Sequence, residues 1–475
     1  MSQPIVVNQD ILEMEYAVRG PIPQRAAALR KEGRAIIPCH IGNPQALGQD
    51  PIAFYRQVLS LIEEPGRIAR ERRLNRLAGT AAPAPDDRVS DEVLDRAETV
   101  LEQLGTGLGA YTESRGLMFV REAIARYIDR RDGSGSPVAA PADPENIFLT
   151  NGASDGARLV LEALIADRRD GIMIPIPQYP LYSATIRRYG GTQVNYYPDE
   201  ESGWSLTTPM LEEAMRGAQS EGVRVKGIVV INPANPTGAV LDEASVEGVI
   251  CFAERHGLVI IADEVYQENL YGERFVSFAR ALGRRVVPLV SLHSTSKGFY
   301  GECGHRGGYL ELRNPPPVHG EGGSLCDVLL KQASVSLCAN TVGQVLTYLV
   351  VSPPEPECAP YERYVQQRQR ILADLHDKAT MARRAFERMD GVRCFGKIGA
   401  MYLFPRLETL PGGTTDFDYC MGLLEQTGFC TVNGGGFGQR PGTSHLRMAF
   451  LPPKAVLEEA LPRWIDFHAR YVKRR

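Results

Sequence analysis

The segment Val286–Gly298 reads Val-Val-Pro-Leu-Val-Ser-Leu-His-Ser-Thr-Ser-Lys-Gly, an apolar run that ends in hydroxyl residues and one lysine. Val286–Leu292 is predicted to be a buried strand, because apolar residues without alternation are typical of strands covered on both faces. A lone lysine at a strand end, such as Lys297, is usually a surface residue. Ser294 and Ser296 favour another interpretation, since a phosphate-bearing aldehyde binds lysine as an imine and binds hydroxyl groups through its phosphate. We therefore expect Lys297 to lie in a binding site.

The sequence on both sides of this segment alternates between short apolar runs and helical patterns. The predicted strands, rich in Val, Ile and Leu, are Asn146–Thr150, Gly171–Ile176, Gln193–Tyr197, Gly227–Ile231, Leu258–Ala262, Val286–Leu292 and Gly307–Leu312. Amphipathic stretches such as Ser154–Asp167 and Asp242–His256 lie between them. This alternation predicts an α/β fold with a mostly parallel sheet flanked by helices.

The two ends of the chain are predicted to form a smaller α+β domain beside this sheet. We expect residues 1–80 to be an N-terminal arm and part of the small domain, residues 81–345 the large domain, and residues 346–475 the rest of the small domain. The C-terminal elements are a helix over Tyr361–Met389, a strand-like run over Ala400–Phe404, a helix over Asp416–Thr427 and a strand-like run over His445–Leu451. Thr80–Asp87, with two prolines, is predicted to be an exposed excursion.

Composition narrows the class of protein. The chain has 475 residues, 43% of them hydrophobic, and a net charge of −4, which gives no sign of nucleic-acid binding. No apolar run is long enough to cross a membrane, and the acidic N-terminus is unlike a secretory or mitochondrial leader. The nine cysteines are scattered, and neither they nor the eight histidines show the spacing of a metal site. We expect a cytosolic enzyme without a metal.

Two further strand ends carry polar side chains suited to an electron-accepting cofactor. Asp263 ends the predicted strand Leu258–Ala262, where ligands bind in open α/β sheets. A carboxylate there keeps a pyridine nitrogen protonated, and Tyr266 lies close enough in sequence to reach the ring oxygen. Asn235 follows Gly227–Ile231 and is a second candidate for that oxygen, although Asn-Pro and Thr-Gly also mark an ordinary turn. An isolated Asp263 would more often cap a helix.

Anion-binding groups are predicted at four other positions. Ala153 and Ser154 open a helix after Gly152, where backbone N–H groups and the helix dipole attract phosphate. Arg306 offers that phosphate a bidentate cation. Arg447, inside an apolar run, needs an anionic partner if buried, and the α-carboxylate of a substrate is one. Tyr179 is a candidate for stacking on a flat ring, with core packing as the alternative.

Together these residues resemble the fold-type I pyridoxal 5′-phosphate (PLP) aminotransferases. The ordered set is Tyr111, Gly152–Ser154, Tyr179, Asn235, Asp263, Tyr266, Ser294, Lys297, Arg306 and Arg447. The resemblance implies that Lys297 is the Schiff-base lysine and proton shuttle, with Asp263 as pyridinium partner and Tyr266 as a further catalytic residue. It also implies that Tyr111 reaches the phosphate of a neighbouring subunit in a homodimer, and that Gly42 joins Arg447 and Asn235 in binding substrate.

Within that superfamily the amino-acid sequence of several segments is similar to that of the alanine aminotransferases. Pro175–Thr185 and His293–Gly298 carry the similarity, and Arg306 lies one residue further from Lys297 than is usual in the superfamily. The resemblance implies reversible transfer of the amino group of L-alanine to 2-oxoglutarate by a ping-pong mechanism. Glutamate:glyoxylate transfer and a non-catalytic binding protein of the same fold remain as alternatives.

Overall fold

The computed structural model describes residues 4–16, 19–78, 88–133, 140–320 and 323–473. The predicted excursion at Thr80–Asp87 lies outside them. The helices are α1 (Gln9–Leu12), α2 (Pro21–Lys31), α3 (Ala53–Glu63), α4 (Gly66–Ala78), α5 (Asp91–Leu104), α6 (Met118–Gly133), α7 (Ala153–Leu164), α8 (Leu181–Arg188), α9 (Thr208–Ser220), α10 (Glu243–His256), α11 (Phe278–Leu282), α12 (Leu325–Val335), α13 (Thr341–Val351), α14 (Tyr361–Phe386), α15 (Asp416–Thr427) and α16 (Lys454–Tyr471).

The strands are shorter than the helices, and several in the C-terminal part are only two residues long. They are β1 (Ile37–Pro38), β2 (Ile147–Leu149), β3 (Asp170–Pro175), β4 (Thr192–Tyr196), β5 (Arg224–Ile231), β6 (Val259–Asp263), β7 (Leu289–Ser294), β8 (Gly308–Arg313), β9 (Val392–Arg393), β10 (Tyr402–Leu403), β11 (Arg406–Leu407), β12 (Phe429–Cys430), β13 (Val432–Asn433) and β14 (Leu446–Ala449). The predicted strands and helices agree with these bounds to within about three residues, as expected where element ends fray.

The central sheet has seven strands in the order β2-β8-β7-β6-β5-β3-β4. Strands β7, β6, β5, β3 and β4 pair in parallel, while β8 runs antiparallel to both of its neighbours. The mostly parallel α/β sheet predicted from the sequence is therefore confirmed. The carboxyl ends of β5, β6 and β7 come together at one edge, which places the residues that follow them side by side.

Both faces of the sheet are covered by helices. Along β5, Val229 and Ile231 pack in a cluster with α7, α8 and α12, while Ile228 and Val230 pack in another with α9, α10 and α11. This alternation explains the continuous apolar runs, because a strand buried on both faces needs apolar residues at every position.

The N-terminal and C-terminal parts share a separate core. Helices α3, α5, α14, α15 and α16 contribute buried residues to one cluster around Trp464 and Phe429. We propose the division into residues 1–80, 81–345 and 346–475 as the domain organisation. Its first boundary falls between α4 and α5, which pack against each other. Among the described residues, no helix is both long and apolar enough to cross a membrane.

Candidate active site

A cavity of about 280 Å³ opens where β5, β6 and β7 end. Its walls come from the sheet, from the loop around Gly42 and from the C-terminal strands β10 and β14. The predicted site residues among its lining are Gly42, Ala153, Ser154, Tyr179, Asn235, Asp263, Tyr266, Ser294, Lys297, Arg306 and Arg447. The structure therefore brings together side chains that are far apart in the sequence.

One end of the cavity is built to hold an anion. Helix α7 starts here without a side-chain cap, so the N–H groups of its first turn remain available. Arg306 lies beside this turn, with its guanidinium 3.4 Å from the Ser154 hydroxyl and 3.4 Å from the Ser296 hydroxyl. A Cβ atom on Gly152 would lie 2.6 Å from the Arg306 guanidinium. Gly152, with φ +87°, therefore makes room for the arginine.

One wall of the cavity carries a buried acid, Asp263, and no cation among the described residues forms an ion pair with it. Tyr182 donates a hydrogen bond of 2.7 Å to the Asp263 carboxylate, and the backbone N–H of Val265 contacts its other oxygen at 3.4 Å. Burial raises the pKa of Asp263 to about 6, although the bond from Tyr182 and the charge of Lys297 act in the opposite direction. A cation placed against this carboxylate would restore its ionised form.

Lys297 extends into the middle of the cavity. Its ammonium donates a 2.8 Å hydrogen bond to the carbonyl oxygen of Gly42 and lies 5.8 Å from the ring of Tyr266. A Cβ atom on Gly42 would approach Lys297 Nζ to 3.2 Å and the Tyr402 hydroxyl to 2.0 Å. Gly42 is therefore required for the lysine and the tyrosine to share this space.

Arg447 forms the opposite wall and is only 1% exposed. Its guanidinium lies between the rings of Tyr402 and Phe437, 4.3 and 4.6 Å from their centroids. It donates to Asn235 Oδ1 at 3.0 Å and to the His40 carbonyl at 2.6 Å, while Arg447 Nε has no partner. Within the described part of the chain, no carboxylate pairs with this buried cation, so an anionic ligand is the missing partner.

The bond from Arg447 also fixes the orientation of the Asn235 amide. Because Oδ1 accepts from the guanidinium, the amide nitrogen is the donor that remains for a ligand oxygen. Tyr266, buried at 2% exposure, donates its hydroxyl to Tyr402 at 3.2 Å. Asn235 therefore borders the cavity with a free donor, whereas the hydroxyl of Tyr266 donates its single proton to Tyr402 and would have to turn to reach a ring oxygen.

Two tyrosines predicted for the site have different surroundings. Tyr179 lines the cavity, and its hydroxyl lies 2.6 Å from that of Tyr16, a residue of the N-terminal arm. Tyr111 does not line the cavity of its own chain; it is 80% exposed on the surface. The loop that carries Tyr111 is anchored by the buried Arg121, which bonds Glu113 and the carbonyl of Gly116.

Some cavity residues carry no sequence signal that would single them out. They are Asn43, Leu181, Ile231, Val265, Cys303 and Tyr402. Tyr402 and Cys303 border Lys297. Tyr182 donates a hydrogen bond to Asp263 but does not line the cavity. A tyrosine in an apolar run is typical of core packing, so only its neighbours in space reveal a tyrosine at a site.

The donor set fits pyridoxal 5′-phosphate on three counts. The helix start and Arg306 match a phosphate, and the uncompensated carboxylate of Asp263 matches a protonated ring nitrogen. Lys297 matches the carbonyl carbon, because its amine lies between these two ends and faces the cavity.

The comparisons with known proteins agree with this fit. The family model described as aminotransferase class I and II matches residues 81–463. Alanine aminotransferase 1 of Homo sapiens is 42% identical over 494 residues, covering 98% of this chain and 94% of the relative. Glutamate–glyoxylate aminotransferase 2 of Arabidopsis thaliana is 40% identical over 484 residues, covering 98% and 95%. A Saccharomyces cerevisiae protein named inactive alanine aminotransferase is 40% identical over 491 residues, covering 97% and 92%.

A solved structure supports the fold. Alanine aminotransferase from Pyrococcus furiosus superposes with a TM-score of 0.78 at 24% identity, covering 98% of this chain and 100% of that one. This likeness confirms the predicted fold-type I architecture, and the family match extends over most of the chain. The chain therefore belongs to the class I and II aminotransferases and has pyridoxal 5′-phosphate as its cofactor.

Proposed function

We propose that the chain transfers the amino group of L-alanine to 2-oxoglutarate, reversibly and in two half-reactions. One observation carries the proposal: the buried guanidinium of Arg447 lacks an anionic partner in the same cavity that holds Lys297. An α-carboxylate is the ligand that such a guanidinium binds best, through a bidentate contact. The relatives named alanine aminotransferase, at 40–42% identity, support alanine as the amino donor.

The side chains at the two ends of the cavity would bind different parts of the cofactor. Arg306, Ser154, Ser294 and the first turn of α7 would hold the phosphate of the cofactor, and Asp263 would hold its ring nitrogen. When bound, pyridoxal phosphate draws electrons away from the α-carbon of the amino acid. Those contacts would hold the cofactor at the carboxyl ends of the strands, in the cavity that Lys297 lines.

Three side chains act on the substrate itself. Arg447 orients the α-carboxylate, and the Gly42 carbonyl keeps Lys297 Nζ directed into the cavity. Lys297 Nζ accepts the proton from the α-carbon and returns it, which is general acid–base catalysis by a positioned amine. The amide nitrogen of Asn235 would donate to the ring oxygen, and the hydroxyl of Tyr266 would do so by turning away from Tyr402.

A second acceptor, glyoxylate, is favoured by a specific observation. The plant glutamate–glyoxylate aminotransferase is 40% identical to this chain, close to the 42% of the human alanine aminotransferase. A non-catalytic role has support from the yeast relative named inactive. Against it stands the cavity, which contains Lys297, Asp263 and Arg447 together.

Steady-state assays distinguish these functions. Purified protein loaded with pyridoxal phosphate would be given either L-alanine with 2-oxoglutarate or L-glutamate with glyoxylate, and kcat/KM for the two keto acids compared. We expect 2-oxoglutarate to be the better acceptor and Lys297→Ala to be inactive with both. A higher kcat/KM for glyoxylate would indicate that the chain is a glutamate:glyoxylate aminotransferase instead. No turnover with either acceptor would favour the non-catalytic role.

We also propose that the protein acts as a cytosolic homodimer. The phosphate end of the cavity is open, since Ser154 and Arg306 are exposed, and the exposed Tyr111 stands on an anchored loop. A second subunit would bring its Tyr111 to that opening. Sedimentation of the loaded protein tests the dimer, and fractionation of cells tests the location; a monomer or a membrane-enclosed pool would contradict the respective part.

A further inference from the structure

Tyr402 lies in strand β10, which pairs with β14, the strand that carries Arg447. Its side chain is 2% exposed and lines the cavity. Neither the sequence patterns nor the proposed mechanism gives this residue a role. Its position between two cationic side chains suggests one.

The hydroxyl and the ring of Tyr402 contact different groups. The hydroxyl accepts the 3.2 Å hydrogen bond from Tyr266 and lies in the space beside Gly42 that Lys297 Nζ also borders. The ring covers the guanidinium of Arg447 at 4.3 Å. A substitution that removes only the hydroxyl therefore removes its contacts near Tyr266 and Lys297 and keeps the contact between the ring and Arg447.

Tyr402 and the cationic side chains beside it affect each other's pKa values. Burial acts to raise the pKa of Tyr402, but the charges of Lys297 and Arg447 outweigh it and lower that pKa. Burial acts to lower the pKa of Lys297, whereas Tyr402 and Cys303 outweigh it and raise that pKa. Among the remaining ionisable groups, Tyr179 has the largest effect on the pKa of Lys297 and also raises it. Asp263 faces Lys297 from β6.

We propose that Tyr402 is a positioning residue with two separable parts: in the cofactor-free protein its hydroxyl stabilises the protonated form of Lys297, and its ring holds the guanidinium of Arg447 against the cavity wall. Without the hydroxyl, Lys297 retains burial and the repulsion of Arg447, and both favour the neutral amine. The hydroxyl therefore sets the pH range in which Lys297 holds a proton. The ring keeps Arg447 in one plane for a carboxylate.

This inference rests on the proposed role of Lys297, but its first test needs no turnover. The cofactor-free protein would be labelled with acetic anhydride across a pH series, and acetylation of Lys297 measured by peptide mass spectrometry. In Tyr402→Phe the midpoint of labelling should fall by about one pH unit, the size typical of losing a favourable neighbour within a few ångströms. Tyr55→Phe is the matched control, because Tyr55 is equally buried and does not line the cavity.

A second variant separates the ring from the hydroxyl. Tyr402→Phe should leave the KM for L-alanine near the wild-type value, whereas Tyr402→Leu should raise that KM on the order of tenfold, because it also removes the cation–π contact with Arg447. An unchanged labelling midpoint in Tyr402→Phe, or an equal shift in Tyr55→Phe, would overturn the role of the hydroxyl. Equal KM values in Tyr402→Phe and Tyr402→Leu would overturn the role of the ring. If alanine is not a substrate, the proposed function fails while the labelling result still decides the hydroxyl.

Discussion

Replacing Asp263 by asparagine removes a buried acid and keeps an oxygen that can accept the hydrogen bond from Tyr182. In the cofactor-free protein the pKa of Asp263 is raised to about 6, against roughly 3.9 for an unfolded aspartate. A raised folded-state pKa stabilises the fold at low pH, and this contribution is lost as pH rises through the folded value. Wild-type protein should therefore lose stability between about pH 4 and pH 7 that the asparagine variant keeps.

The size of the effect follows from the shift of about two pKa units, which corresponds to about 3 kcal/mol at neutral pH. A protein of this length has an unfolding entropy of about 1 kcal/mol per degree near Tm. A difference of about 3 kcal/mol in the free energy of unfolding therefore corresponds to a gain of about 3 °C in Tm. Thermal unfolding of cofactor-free wild type and Asp263→Asn at pH 4 and pH 8 measures it. The variant should show most of this gain at pH 8 relative to pH 4.

Asp170→Asn is the matched control for this measurement. Asp170 is also a fully buried acid on the central sheet, but it pairs with Arg224 at 2.9 Å. Arg224 is half exposed, but Asp170 also accepts hydrogen bonds from the backbone N–H groups of Ala166 and Asp167. This variant should therefore be less stable than wild type at pH 8, because it loses the charged acceptor of these bonds. The reasoning would be refuted if Asp263→Asn also destabilised the cofactor-free protein at pH 8, or if its gain did not depend on pH. In the loaded protein the order should reverse, because Asp263 then has a cationic partner.

The remaining predictions concern the other walls of the cavity. Arg447→Lys should raise the KM for both substrates by about tenfold or more, since the bidentate contact is lost; an effect on one substrate alone would give Arg447 another role. Gly42→Ala should abolish turnover, because the methyl group would clash with the Tyr402 hydroxyl and approach Lys297 Nζ to 3.2 Å; retained activity would contradict it. Gly152→Ala should weaken cofactor binding, measured by fluorescence titration, since its Cβ atom would meet Arg306 and φ is +87°; unchanged affinity would contradict the phosphate site. Tyr111→Phe should weaken cofactor binding in the dimer and leave the monomer unaffected; equal affinities in the dimer would contradict its role across the interface.

The fold was predictable because burial leaves a direct pattern in the sequence. Strands such as Val259–Asp263 are covered on both faces, so their apolar runs are continuous and their ends are marked by polar residues. Asp263, Asn235 and Ser294 could then be placed at one edge, because parallel strands end on the same side. The direction of β8 could not be read in this way, since its composition is the same whether it pairs parallel or antiparallel.

The rest of the site depends on contacts between distant segments. Tyr402 lies in a two-residue strand, and nothing near it in the sequence indicates that it meets Lys297. Tyr182 reaches Asp263 across the helical side of the sheet, and Tyr16 reaches Tyr179 from the N-terminal arm. Such pairs form only when the chain has folded, so patterns of spacing carry no signal for them.

The central claim is that Lys297 and Arg447 act together to move the amino group of alanine. The most direct test incubates the loaded protein with ¹⁵N-labelled L-alanine, removes free amino acid, and then adds unlabelled 2-oxoglutarate. The account predicts pyruvate in an amount equal to the cofactor in the first step and ¹⁵N-glutamate in the second, and neither in Lys297→Ala. Wild-type protein that releases no pyruvate, or Lys297→Ala that still yields labelled glutamate, would contradict it.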